Sequence, residues 1–195
     1  MPALKELAFR FDPATHTYTE LESGVVLPHI TGLLMSAGLI DDRWYTEESS
    51  VRGTAVHDMT ATYDLGALDP STLVSRYKGY VLAHVDAMMA LKPTMLSVEE
   101  PDAHPGYRFA GRPDRVLLWR KLRGVYEVKT GGPEKSHMIQ TALQAILDSH
   151  RSGLPPHRYH RMAGYYQSSG RYKINTHDNQ GDIAKAVGIL KEFCR

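Results

Sequence analysis

From Val125 to Thr130 the chain alternates, with Val125, Glu127 and Lys129 on one side and Tyr126, Val128 and Thr130 on the other. That period of two is the signature of a strand. A preceding extended run, Phe109–Trp119, and the polar, basic turn Arg120-Lys121-Leu122-Arg123 make Gly124–Thr130 the second strand of a hairpin. Folded back at Lys121–Leu122, the hairpin brings Asp114 near the level of Glu127. Upstream, Phe9–Ile30 alternates weakly, with turn signals at Asp12-Pro13 and Ser23-Gly24, and reads as a small hairpin. Thr31 is placed to cap a short helix, Gly32–Ala37, stopped by Gly38, and the polar stretch Asp41–Ser50 reads as a loop whose Trp44 and Tyr45 either pack or stack on bases.

Helical spacing then takes over. Val56, Met59 and Tyr63 share a stripe on a helix running from about Ser50 to Leu65, with His57 on the adjacent face, and Thr72–Leu91 predicts a second helix opened by Pro70-Ser71. Met95–Glu100 is strand-like, and Pro101–Gly106 is a loop leading into the central hairpin. Gly131-Gly132-Pro133 breaks the chain before an amphipathic helix, Glu134–His150, on which Gln140 and Gln144 sit one turn apart. Arg158–Gln167 and Gly170–His177 pair across Ser168-Ser169-Gly170, and Asp182–Phe193 closes the chain with a stripe of Ile183, Ala186, Val187 and Leu190. This order of helices and strands predicts an α/β sandwich around a small mixed sheet.

Composition adds limits. With 195 residues the chain suits a single domain with a helical elaboration over about 31–92, large enough to bury a core without staples. The lone Cys194 excludes an internal disulfide framework and a four-cysteine iron–sulfur cluster. With no long apolar run, the expectation is a cytoplasmic protein with no membrane partner. The net charge of +1 says little, but Arg108, Arg112, Arg115, Arg120, Lys121 and Arg123 crowd the hairpin. Cations gathered around carboxylates suit an anionic partner.

The candidate chemistry lies in that hairpin. Asp114 and Glu127 as neighbours repel and invite a shared proton or a cation. Oxygen ligands with an open side suit Mg²⁺, and Lys129 beside them can orient a water and offset charge on phosphorus. The plain alternative is a surface salt-bridge hairpin, Glu127 with Lys129 and Asp114 with Arg112.

Taken together, Gly111-Arg112-Pro113-Asp114, Glu127-Val128-Lys129, Gln140 and the upstream Arg52-Gly53-Thr54-Ala55-Val56-His57 resemble the PD-(D/E)XK nuclease superfamily. The nearest branch is that of the RecB- and Cas4-like exonucleases. His16-Thr17-Tyr18, Leu27-Pro28, Ile30–Leu34 and Arg171–Lys173 are similar to phage-encoded members, so the resemblance spans most of the chain from His16 onward. It implies a restriction-endonuclease-like α/β core with a small mixed sheet flanked by helices. By the resemblance, His57, Asp114, Glu127 and the carbonyl of Val128 would ligate Mg²⁺, for which Mn²⁺ can substitute. Asp114, Glu127, Lys129 and Gln140 would be catalytic, Lys129 positioning the water and Gln140 orienting Lys129 or contacting the phosphate. Glu99 and Arg112 are candidates for a second metal or for substrate. Two departures stand out: Ala61 and Gln144 occupy positions where RecB-type members often carry an acidic residue and a tyrosine, and Tyr159, Tyr165 or Tyr166 would have to replace that tyrosine.

The implied activity is metal-dependent hydrolysis of DNA by an exonuclease, in a bacterial or phage-infected cell, alongside a recombination, repair or replication partner. A non-catalytic DNA-binding or assembly module, a structure-specific endonuclease, and hydrolysis of RNA or a small phosphoester remain open at this point.

Overall fold

The alternation of Val125–Lys129 becomes the central strand of a five-stranded mixed sheet. The computed structural model describes residues 7–40 and 46–194, so Trp44 and Tyr45 lie outside the described residues. In chain order the elements are β1 (Phe9–Asp12), β2 (Thr17–Glu20), α1 (Ile30–Ser36), α2 (Glu47–Asp64), α3 (Lys78–Leu91), β3 (Thr94–Val98), β4 (Asp102–His104) and β5 (Phe109–Gly111). Then follow β6 (Arg115–Trp119), β7 (Leu122–Lys129), α4 (Lys135–Ser152), β8 (His160–Tyr166), β9 (Tyr172–Thr176) and α5 (Gln180–Phe193).

The sheet order is β3-β6-β7-β8-β9. All neighbours are antiparallel except β7 and β8. Parallel neighbours need a crossover, and α4 supplies it. Its hydrophobic stripe buries Ile139, Leu143, Ile146 and Leu147 with Leu33, Leu34, Ile189 and Leu190 of α1 and α5. Across the sheet, Tyr126, Val128, Leu117 and Met162 pack against Val56 of α2 and Ala83, Ala87 and Met88 of α3. The result is a mixed sheet flanked by helices on both faces.

Side-chain alternation sorts the polar groups as well. Val116 and Val125 meet Ala145 of α4, so Glu127, two residues beyond Val125, faces α4. Arg115, two residues before Leu117, faces α2 and α3.

Several expected boundaries shift for local reasons. Phe109–Trp119 is not one strand: Phe109–Gly111 pairs with Asp102–His104 as a separate ribbon, and Pro113 and Asp114 interrupt the run before β6. Proline has no N–H to give to a ladder. The hairpin turn is two residues, Arg120-Lys121, both with positive φ (50° and 67°), so Leu122 and Arg123 belong to the strand. This tight loop matches the twist of the flanking strands. Arg115 pairs with Tyr126, which sets Asp114 at the level of Glu127 as the sequence suggests.

The helix expected over Thr72–Leu91 is a short 3-10 turn, Pro70–Thr72, followed by α3 from Lys78. α2 begins three residues earlier than expected, because Thr46 and Ser49 form a capping box. His29, not Thr31, caps α1. β4 occupies part of the expected loop at Pro101–Gly106. Among the described residues, no helix is long and apolar enough to cross a membrane.

Candidate metal and phosphoryl-transfer site

Five elements converge at the end of the sheet where β7 runs into α4. From α2, His57 Nδ1 lies 3.3 Å from Glu99 Oε1 and 3.5 Å from Asp114 Oδ1. One ligand atom from each of His57, Glu99 and Asp114 lies within 4.8 Å of the others, the spacing of a set that can hold one cation. Their side chains are 27%, 16% and 7% exposed, so the group opens to solvent mainly past the histidine.

Local backbone geometry builds this cluster. Glu99 follows β3 in the left-handed region, with φ of 49°, and its N–H donates to the Asp114 carbonyl at 3.0 Å. A non-glycine residue held there costs about 1–3 kcal/mol, a kind of strain that concentrates at functional positions. Asp114 is fixed from the other side, since Val128 N–H donates to its Oδ2 at 2.6 Å. Arg112 pairs with Glu99 at 3.1 Å. The alternative pairing of Arg112 with Asp114 is therefore not the one formed.

Glu127 sits deeper, 2% exposed, and faces α4. Lys129 Nζ donates to its Oε1 at 2.9 Å, Gln140 Nε2 donates to the same oxygen at 2.6 Å, and Gln144 Nε2 donates to Oε2. Gln140 Oε1 also accepts from Lys129 at 3.0 Å. One turn of α4 thus grips both partners of the E-x-K pair. Gln144 is part of that grip, and its Oε1 has no hydrogen-bond partner among the described residues.

The charges split the two carboxylates. Burial opposes the Asp114 charge, but the His57 imidazolium, Lys129 and Arg115 more than offset it and hold the carboxyl below its ordinary range. Burial and the Asp114 charge instead push Glu127 up, against the pull of Lys129 and His57. Burial works against a charge on His57 too, yet Asp114, the hydrogen bond to Glu99 and the field of Glu127 raise it to about 10. The protonated imidazole thus balances acidic neighbours, and a site that favours a proton there suits a divalent cation by the same electrostatics.

Behind the cluster lies a polar network that sequence reasoning missed. Arg115 is fully buried; its Nη1 donates to the Asp114 carbonyl at 2.6 Å, its Nη2 to Thr60 Oγ1 at 3.1 Å, and its Nε to Asp64. Asp64 also accepts from His84 Nε2 at 2.9 Å. His84 Nδ1 lies 3.0 Å from the Tyr166 hydroxyl, which lies 2.5 Å from that of Tyr126. Asp64 shares the His57 face of its helix, but nothing in its sequence context announces a partner on β6.

The tyrosines expected to stand in for the missing one are committed elsewhere. Tyr159 donates to Asp148, Tyr165 pairs with His137 and Tyr166 joins the buried network. All three are largely buried, although Tyr165 and Tyr166 each line a surface cleft.

A cleft of about 350 Å³ opens over the site, lined by Arg52 and His57 of α2, Lys129, and the loop at Thr130, Gly131 and Gly132.

No family model matches the chain, and no curated protein matches it. Among solved structures it is similar to the crystal structure of a "putative exonuclease" from Eubacterium rectale, with a TM-score of 0.50 at 12% identity. The match covers 83% of this chain and 70% of that one. At that identity the likeness is one of fold.

Proposed function

We propose that the chain is a metal-dependent deoxyribonuclease of the PD-(D/E)XK type, of the RecB- and Cas4-like branch, acting as an exonuclease. The observation that carries this reading is the approach of His57, Glu99 and Asp114 to within 4.8 Å of one another. Lys129, held by Glu127 and Gln140, lies at the same cleft as His57. A salt-bridge hairpin needs neither the strained Glu99 nor three donors converging on a buried Glu127.

The donor set, one imidazole nitrogen and carboxylate oxygens, fits Mg²⁺ or Mn²⁺. When bound, such an ion lowers the pKa of a ligated water and screens a phosphate. His57, Glu99 and Asp114 would hold it, with Glu127 and the Val128 carbonyl as further candidates. Val128 also fixes Asp114 through its N–H. Lys129 supplies a positive charge where negative charge builds on phosphorus, and it orients the attacking water. Gln140 sets the Lys129 ammonium, while Gln144 keeps Glu127 turned toward it. The choice of exonuclease over endonuclease follows the family branch and the name of the Eubacterium rectale protein.

Purified protein with Mg²⁺ or Mn²⁺ should degrade end-labelled DNA. Lys129→Ala should lose about 10²–10³-fold in rate, as for removal of one charge-stabilising donor, while still folding by circular dichroism. Equal inertness of both proteins across DNA forms and metals would rule out the enzyme, leaving a DNA-binding module with a nuclease fold.

A further inference from the structure

The cleft over the site does not end at the loop after β7. A second cleft of about 480 Å³ begins on the other side of the same Thr130-Gly131-Gly132 segment, lined by Tyr80, Gln167, Ser168, Ser169 and Arg171. The three loop residues line both clefts. They form a saddle between the metal-ligating cluster and the β8–β9 turn.

The two glycines of the saddle are unexplained by folding alone. Neither Gly131 nor Gly132 has a left-handed backbone, and a Cβ on either would meet no atom within 4 Å. Glycine there costs backbone entropy that alanine would not, with no conformational or packing need in return. What it does provide is a bare surface on which a ligand's backbone can lie close.

The far wall, by contrast, is fixed in place. A Cβ on Gly79 of α3 would fall 1.8 Å from the Ser168 carbonyl oxygen, so the β8–β9 turn sits directly on the helix. The lysine and arginines along the combined groove are Arg52, Lys129 and Arg171. The acid, Glu134, is turned into the capping box of α4 and accepts from Ser136. The half-exposed Tyr80, packed at its base against the core, offers an aromatic face.

We infer that the two clefts are consecutive parts of one track for a single polynucleotide strand, which passes from the metal-ligating cluster over Gly131-Gly132 to Tyr80 and Arg171. This rests on the nuclease reading of the first cleft and adds the form of substrate. Cations at intervals, hydroxyl donors and an aromatic face are what a single strand binds through. The reacting groups are recessed beneath the first cleft, with Asp114 and Glu127 5% and 2% exposed. A small phosphoester would occupy only that first cleft. A duplex, a stiff rod over about 150 base pairs, would have to open before one backbone could enter the recess.

The test is fluorescence anisotropy on the full chain with a labelled oligothymidylate of about ten nucleotides, within the usual site size of a single-strand groove. Ca²⁺ replaces Mn²⁺, being an oxygen-preferring cation. Gly132→Val should keep the wild-type circular dichroism and melting temperature, because its side chain enters open space. It should weaken binding about tenfold or more. Arg171→Ala should weaken binding several-fold and flatten the dependence of log K on log salt by about 0.7, the share of one phosphate contact on a single strand. A duplex of equal length should bind less tightly, and an RNA strand beside the DNA strand reads out sugar preference. Wild-type affinity in both variants, or no binding by the wild type, overturns the track. If the wild type still cleaves DNA with Mn²⁺ in that case, the nuclease reading stands without it. Weakened binding in the variants with no cleavage by the wild type keeps the track and removes the nuclease.

Discussion

Glu99 shows what one residue contributes here. Its left-handed backbone and its place between His57, Arg112 and Arg115 bring its carboxylate to the cluster. Glu99→Gln keeps the shape and removes the charge. It should weaken Mn²⁺ binding about 10–100-fold by calorimetric titration, the range for losing a metal-supporting carboxylate. Unchanged affinity would leave Glu99 a partner of Arg112 and no more. In the sequence Glu99 is one acidic residue on a strand end, equally suited to solvent. Its conformation depends on the Asp114 carbonyl fifteen residues later, so short-range pattern could not reveal it. Asp114, Glu127 and Lys129 were legible because the strand period and hairpin register place them together. Gln140 and Gln144 were legible as one helix stripe, though their common target, Glu127, was not.

Among elements, α2 does the most to organise the site. It supplies His57, and one turn apart it presents Thr60 and Asp64 to Arg115. Arg115 and Asp64 are a buried ion pair, 0% and 1% exposed at their side chains. Removing one partner of such a pair costs about 3–5 kcal/mol. Asp64→Asn should therefore lower the unfolding free energy read from urea titration by roughly that amount, and should loosen Asp114, whose carbonyl accepts from the same guanidinium. Mn²⁺ affinity should fall as well, whereas a change of unfolding free energy alone would make the pair purely structural. Gly79→Ala should also destabilise, by about 1–3 kcal/mol for overpacking, because the Ser168 backbone has no room to yield to a Cβ. From the sequence the α2 stripe and the α4 stripe were both visible. The ends of elements were not, because capping by Thr46 or His29 and the break at Pro113-Asp114 are decided by contacts over a few residues that compete closely.

At the level of the whole molecule, pH dependence should come partly from groups far from the site. His104 stacks on Phe109, and its Nδ1 accepts from the N–H groups of Gly106 and Tyr107, which requires an unprotonated nitrogen. Burial, with some repulsion from His150, holds the imidazole down to about 4. The unfolded chain, with the histidine near 6.5, binds the extra proton more readily. Stability from this group is therefore full above about pH 6.5 and is lost as pH falls toward 4, by about 3 kcal/mol at most. Thermal unfolding between pH 4 and 8 should show that fall, and His104→Gln should flatten it; equal slopes in both proteins would acquit His104. Mn²⁺ at about 100 times its dissociation constant should raise stability by about 2.7 kcal/mol, read as a higher melting temperature that chelation reverses.

By itself the sequence determined the class of fold, the central hairpin, the apolar stripes of the helices and the nearness of Asp114 to Glu127 and Lys129. Those follow from periodicity and side-chain chemistry, which are local. Only the tertiary structure decided that Glu99 joins His57 and Asp114, and that α4 wraps Glu127 and Lys129. It alone set Arg115, Asp64 and His84 as the buried support, and placed a second cleft beyond the glycines. Each of these joins residues from separate elements, and the free energy of such contacts comes from burial and desolvation that exist only once the layers have packed.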